Sequence, residues 1–223
     1  AQWHSNRLIN EAIIMTAGFP TGPVHLNVPI REPFYPAEGE IFTYPKTRVM
    51  KSVSIEKQLS HSTWNELTEI WNKHTKRLLV IGQMDPNQKL SENLQTLKEK
   101  TGIPVMNEIT ANQHGLEAVI TKQDLFLQGN PPLDAPELLI TMGKSMISKN
   151  LKIFLRKNPP KFHWHIHEGN RLNDALQHLS HSIDMKPEDF IAQLSEIGGK
   201  TEESDFNKSW NEANSACVEK SYS

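Results

Sequence analysis

"PELLITMGKSMISKNLKIFLRKNPPKFHWHIHEG", residues Pro136 to Gly169, holds a strand, a helix and a second strand in immediate succession. "PELLITMGKS" carries a short apolar run that reads as a strand, "SKNLKIFLRKNP" reads as a helix, and "KFHWHIHEG" reads as the next strand. Two strands joined through a helix cannot be neighbours in a hairpin, so the unit predicts a parallel pair with a crossover. The pattern repeats on the amino-terminal side. "STWNELTEIWNKHTK" is a helix with Ser62 or Thr63 as N-cap, "RLLVIGQ" a buried strand, "NQKLSENLQTLKEKTG" an amphipathic helix closed by Gly102, and "IPVMNEIT" another strand. "LEAVITKQDLFL" predicts a short helix around a loop. Four strands alternating with helices predict an α/β fold: a doubly wound, Rossmann-like, mostly parallel sheet with helices on both faces.

Both ends of the chain read differently. In front, "WHSNRLINEAIIMTAG" is a helix with Leu8, Ile9, Ala12, Ile13 and Met15 at helical spacing and Gly18 as its stop. It runs into "GPVHLNVPIREPFYP", where Val24, Leu26 and Val28 alternate with polar residues as in a strand before Pro29, Pro33 and Pro36 end it. This is a helix–strand remnant of a preceding α/β domain. The expected organisation is residues 1–36 as the end of that domain, 37–57 as a linker, 58–200 as the Rossmann-like domain, and 201–223 as a polar linker leading onward.

Composition bounds the chemistry. Lys and Arg number 24 against 26 Asp and Glu, a net charge of -2, so there is no electrostatic footprint for nucleic acid or an anionic membrane. The chain contains no apolar run of membrane-spanning length. A single cysteine, Cys217, excludes an internal disulfide and predicts a reducing, cytoplasmic location.

Known site motifs are mostly absent. Dinucleotide binding needs G-x-G-x-x-G after a strand, but "VIGQMDPNQ" and "TMGKSMISK" each hold one glycine, and Gly82 and Gly143 read as turn residues. Neither the phosphate-cradling glycine loop nor a G-x-S-x-G elbow occurs. His163, His165 and His167 share one strand face and invite a metal reading. Same-face neighbours on a strand lie about 6.8 Å apart and the outer pair about 13.6 Å, too far for three ligands at roughly 2 Å from one ion. Two of them could bind a metal with a third ligand from elsewhere. A polar sheet face without metal is the reading adopted.

The front and middle motifs converge on one family. "GPVHLNVPIREPFYP" resembles the segment that closes the pyrimidine-binding domain of thiamine-diphosphate enzymes, and its longer form is similar to the menaquinone-pathway branch that makes SEPHCHC from isochorismate and 2-oxoglutarate. "LLITMGKSMISKNLKIFLRK" and "KFHWHIHEGNRLNDALQHLSHSI" resemble that branch's central domain, and the resemblance covers approximately residues 5 to 197. It implies a transferase forming a carbon–carbon bond with thiamine diphosphate and Mg²⁺, working as a homo-oligomer. It implies no catalytic, cofactor or metal residue in this stretch, because the catalytic glutamate and the diphosphate motif belong to neighbouring domains and no "GDG" occurs here. The chain alone is then expected to be inactive.

One substrate residue is implied. In the family a basic side chain in the stretch matching "SMISKNL" approaches the second substrate's carboxylates, and Lys149 stands at that position. The adjacent residue, often arginine in relatives, is Asn150, which offers no charged fork. Arg171, after Gly169 at a strand's exit, reads as a surface residue, with the rim of the same cleft as its alternative place. A free-standing doubly wound module that binds an anion or nucleotide is the alternative of a different class.

Overall fold

Five strands, β1 (Arg77–Ile81), β2 (Val105–Asn107), β3 (Leu138–Met142), β4 (Phe162–His167) and β5 (His181–Asp184), form one sheet in the order β2-β1-β3-β4-β5. Every pairing is parallel. This is the architecture of a computed structural model that describes residues 2–18, 21–29, 35, 37–41, 46–53, 56–129, 131–169, 174–197 and 204–221, with side chains described to residue 217. The chain divides into two compact units, Ala1–Glu56 and Lys57–Ser223.

The second unit holds the sheet. Its helices are α2 (His61–Lys73), α3 (Gln88–Thr101), α4 (Gln123–Phe126), α5 (Lys149–Lys157), α6 (Pro187–Ile197) and α7 (Asp205–Ser221). Successive side chains of a strand face opposite ways, so β1, β2 and β3 divide their apolar residues between two cores, while β4 and β5 give theirs to one. Leu79, Ile81, Ile140, Trp164 and Ile166 pack with α2, α3 and α6. Leu78, Val80 and Leu139 pack with α5 and α7, through Leu151, Phe154 and Trp210. Both faces are covered, which is why β1 and β3 are fully buried along their length.

Local chemistry sets the helix ends. Ser60, not Ser62 or Thr63, caps α2, its Oγ accepting from the Thr63 backbone N–H. Asn87 caps α3 through the Leu90 N–H, and Gly102 closes that helix at φ 64°, a left-handed conformation that favours glycine.

Three expectations change. The sheet has a fifth strand, because β5 is short and polar and buries only Ile183, leaving no periodic signal. Helix α6 follows it, with Pro187 at the first helical position and Glu188 and Asp189 in the first turn. The carboxy-terminal stretch, expected as a linker, is helix α7. Phe206 and Trp210 are buried there, with the Trp210 ring edge-on to Phe126 and Phe154, so two aromatics suffice to seat an otherwise polar helix.

In the first unit, α1 (Gln2–Ala17) ends at Gly18 as expected. Its Asn10 is buried: the side-chain amide donates to the Arg48 carbonyl at 3.1 Å and its oxygen accepts from the Met50 N–H at 2.7 Å. The strand predicted over Val24–Val28 is not formed. Residues 21–29 are irregular, and Val24, Leu26 and Val28 are exposed. Alternation alone cannot make a strand whose ladder has no partner among the described residues.

Candidate functional site

Ligands of a doubly wound sheet lie beyond the carboxyl ends of its strands, where the winding reverses. For the order β2-β1-β3 that point lies between β1 and β3. Here the loops after these strands are joined by backbone hydrogen bonds. Gly82 N–H donates to the Met142 carbonyl at 2.9 Å, Gln83 N–H to Ser145 at 2.8 Å, and Lys144 N–H to Gln83 at 2.7 Å. A Cβ on Gly82 would stand 2.7 Å from the Ser145 carbonyl oxygen, and one on Gly143 2.9 Å from that of Gln83. The two glycines are therefore more than turn residues: they let the loops touch, and that contact fills the crevice a nucleotide would need.

The second part of the site is the start of α5. Ser148 caps the helix, its Oγ accepting from Leu151 N–H at 3.2 Å. Glu108, just past β2 and only 3% exposed, accepts from Ile147 N–H at 2.6 Å and from Ser148 N–H at 2.8 Å. Asp124, on α4, accepts from Ser148 Oγ at 2.7 Å and from Asn150 N–H at 3.2 Å. The Asn150 amide donates in turn to the Asp124 carbonyl at 2.7 Å, so Asn150 serves the fold at this turn. Lys149 is the first residue of α5, exposed, and without a hydrogen-bond or ion-pair partner among the described residues. A cation is unfavourable at a helix N-terminus, and the two carboxylates offset it. Arg171 lies outside the described residues.

The histidines form the third part. His163 and His165 are buried on the α5 face, and the Thr141 hydroxyl lies between them, 2.8 Å from His163 Nε2 and 2.9 Å from His165 Nδ1. One hydroxyl can donate to one ring and accept from the other. His167 stacks on His165 with centroids 5.3 Å apart and bonds Ser182 Oγ at 2.7 Å. Burial pushes His163 and His165 down to about 4, so both are neutral at pH 7. Beside them is a cavity of about 10 Å³, room for about one water, whose walls include Gly82, Thr141, Gly143, His163 and His165. Among the described residues no group of three or more His, Cys, Asp or Glu could hold a metal; each of the two buried rings already directs a nitrogen at Thr141.

The sequence singles out Lys149, Asn150 and the histidines as candidates but not Glu108, Asp124 and Thr141, which the structure places beside them. Their partners are backbone groups and rings from distant segments, which no local pattern announces. The one usable signal was a carboxylate at the exit of an apolar strand, Glu108 after "PVMN".

Comparison with known proteins agrees with this architecture. The family model described as "Middle domain of thiamine pyrophosphate" matches residues 45–222. Similar proteins include the 2-succinyl-5-enolpyruvyl-6-hydroxy-3-cyclohexene-1-carboxylate synthases of Cytophaga hutchinsonii, 32% identical over 91% of this chain and 36% of the relative, and of Phocaeicola vulgatus, 35% identical over 86% and 35%. The synthase of the same name from Bacteroides thetaiotaomicron is 32% identical over 88% of this chain and 35% of its own length. The chain thus spans about a third of the length of the curated relatives it matches. No described helix is long and apolar enough to cross a membrane. With a five-stranded parallel sheet in the order β2-β1-β3-β4-β5 and a family match running from the approach to α2 through α7, this chain belongs to the family of thiamine pyrophosphate enzyme middle domains.

Proposed function

We propose that the chain is the central part of a synthase that decarboxylates 2-oxoglutarate and adds the succinyl unit to isochorismate in menaquinone biosynthesis. The observation that carries this reading is the 32–35% identity to synthases of that product over 86–91% of the chain. The whole protein is then a cytoplasmic, homo-oligomeric transferase using thiamine diphosphate and Mg²⁺. Residues 1–36 are the end of its pyrimidine-binding domain, 37–57 a connector, and the region from residue 58 its central domain, with α7 leading towards a diphosphate-binding domain.

The residues present here do not fit the cofactor. The crevice between β1 and β3 is filled by backbone, four backbone donors at the start of α5 are taken by side chains, and the sequence has no G-D-G. This stretch contributes architecture and one substrate contact, and it is inactive alone.

That contact is Lys149. Isochorismate carries two carboxylates, and an exposed ammonium at the carboxyl end of the sheet supplies the opposite charge. In the full-length enzyme, Lys149→Ala should raise the Michaelis constant for isochorismate, with a loss on the order of 1.5–3 kcal/mol in kcat/KM. Steady-state kinetics with each substrate varied in turn is the test. An unchanged constant for isochorismate, or equal damage to the acceptor-independent decarboxylation, overturns the role.

A further inference from the structure

A helix N-terminus leaves its first backbone N–H groups without intrahelical partners, and anions often bind there. At α5 most of these groups are satisfied from within the chain. Ile147 and Ser148 N–H point to the two oxygens of Glu108, Asn150 N–H to Asp124, and Leu151 N–H to the Ser148 hydroxyl. Glu108 reaches this turn from the exit of β2, across β1, which lies between β2 and β3 in the sheet. Its own N–H is tied to the Ile81 carbonyl at the end of β1 at 3.2 Å. Through its carboxylate and its backbone N–H, Glu108 therefore links the ends of three adjacent strands. Asp124 braces the same turn from the α4 side and holds both Ser148 and Asn150, the residues flanking Lys149.

We infer that Glu108 and Asp124 are positioning residues for Lys149: they hold the backbone N–H groups of Ile147, Ser148 and Asn150 and fix the turn from which the ammonium projects. The inference rests on the proposed role of Lys149 and adds to it. An anionic group of the acceptor approaching this turn meets one ammonium beside a helix end whose donors at Ile147, Ser148, Asn150 and Leu151 are already taken, so its attraction depends chiefly on where that single side chain is held. A point charge selects for negative charge more than for shape, and holding its base rigid lowers the entropy lost when the acceptor docks.

The test uses the full-length enzyme with isochorismate as the varied substrate. Glu108→Gln keeps the size of the side chain but places an amide against two N–H donors. It should raise the Michaelis constant for isochorismate on the order of tenfold with a smaller change in kcat, as expected for a displaced binding group. Asp124→Ala, at an exposed position, should act in the same direction more weakly, and Asp124→Asn, which keeps an acceptor oxygen, should recover most of the loss. If Glu108→Gln does not fold, the two Asp124 variants decide. The inference is overturned if Lys149→Ala raises the constant and the Glu108 and Asp124 variants leave it unchanged. It is equally overturned if those variants lower kcat and raise both substrates' constants together, the mark of general damage. A Lys149→Ala enzyme with an unaltered constant for isochorismate removes the reading of Lys149 itself, and this inference falls with it.

Discussion

The same two strands present very different surfaces to the two sides of the sheet. Towards α2, α3 and α6, β3 and β4 show Leu138, Ile140, Met142, Trp164 and Ile166, all apolar. Towards α5 and α7 they show Leu139, and then Thr141, His163 and His165, which are polar and also buried. A buried polar group costs free energy unless it is paired. The second face meets that cost with one hydroxyl shared between two rings, and His163 Nδ1 still lacks a partner among the described residues. The first face is a packed core whose stability is indifferent to pH. The second makes stability depend on protonation.

Trp164 offers the strongest way to break this contrast. Its ring is fully buried and stands edge-on to Phe190, with centroids 6.3 Å apart. Trp164→Ala should destabilise the chain by about 3–5 kcal/mol through lost contacts and the cavity left behind. Trp164→Phe should cost much less, since it also removes an indole N–H that has no partner among the described residues. Urea denaturation at pH 7 measures both. A loss below about 1 kcal/mol for the alanine variant would mean that the apolar face does not dominate stability.

Next in size is the pH response of the other face. His163 and His165 are lowered to about 4, first by burial; each is pushed further by the next histidine along β4, and Asp174 opposes the shift at His163. In the unfolded chain both return to about 6.5. The unfolded state therefore binds protons that the native state does not, from about pH 6.5 down to about 4. Stability from this source is complete above that window, falls as pH decreases through it, and levels off below it. Over the interval from pH 6.5 to 5, which isolates the histidines from most carboxylates, the summed loss should be roughly 2–4 kcal/mol. Identical urea midpoints at pH 7 and pH 5 would show that the two faces respond alike.

How much of this was legible depended on whether a partner was local. The parallel sheet was readable because β1 and β3 are continuous apolar runs and α5 repeats Leu151, Phe154 and Leu155 at helical spacing. The strand over Val24–Val28 was misread because alternation describes one strand, and a strand needs a neighbour. β5 was missed for the opposite reason: His181–Asp184 has almost no apolar pattern and owes its place to β4, with Trp164 aligned on His181 and Ile166 on Ile183. At the candidate site, Ser148 and Lys149 could be read from the start of a helix. Glu108 and Asp124 reach that helix across gaps of 40 and 24 residues, and Thr141 meets its histidines across 22 and 24. Contacts of this range are set by strand order, which a single sequence does not spell out.

The finest comparison turns on Thr141, the residue that makes the polar face tolerable. Replacing it with valine keeps the shape and removes the hydroxyl, leaving His163 Nε2 and His165 Nδ1 without their shared partner in a buried site. The penalty should be about 1–3 kcal/mol, the range for stranding a buried polar group. Thr141→Ser, which retains the oxygen and drops a methyl group, should cost less than about 1 kcal/mol. The pair of variants separates hydrogen bonding from packing, because valine preserves volume and serine preserves chemistry. Urea denaturation at pH 7, where both rings are neutral, compares them under one protonation state. Serine proving worse than valine would mean that methyl packing decides this position and that the two faces of the sheet obey the same rule.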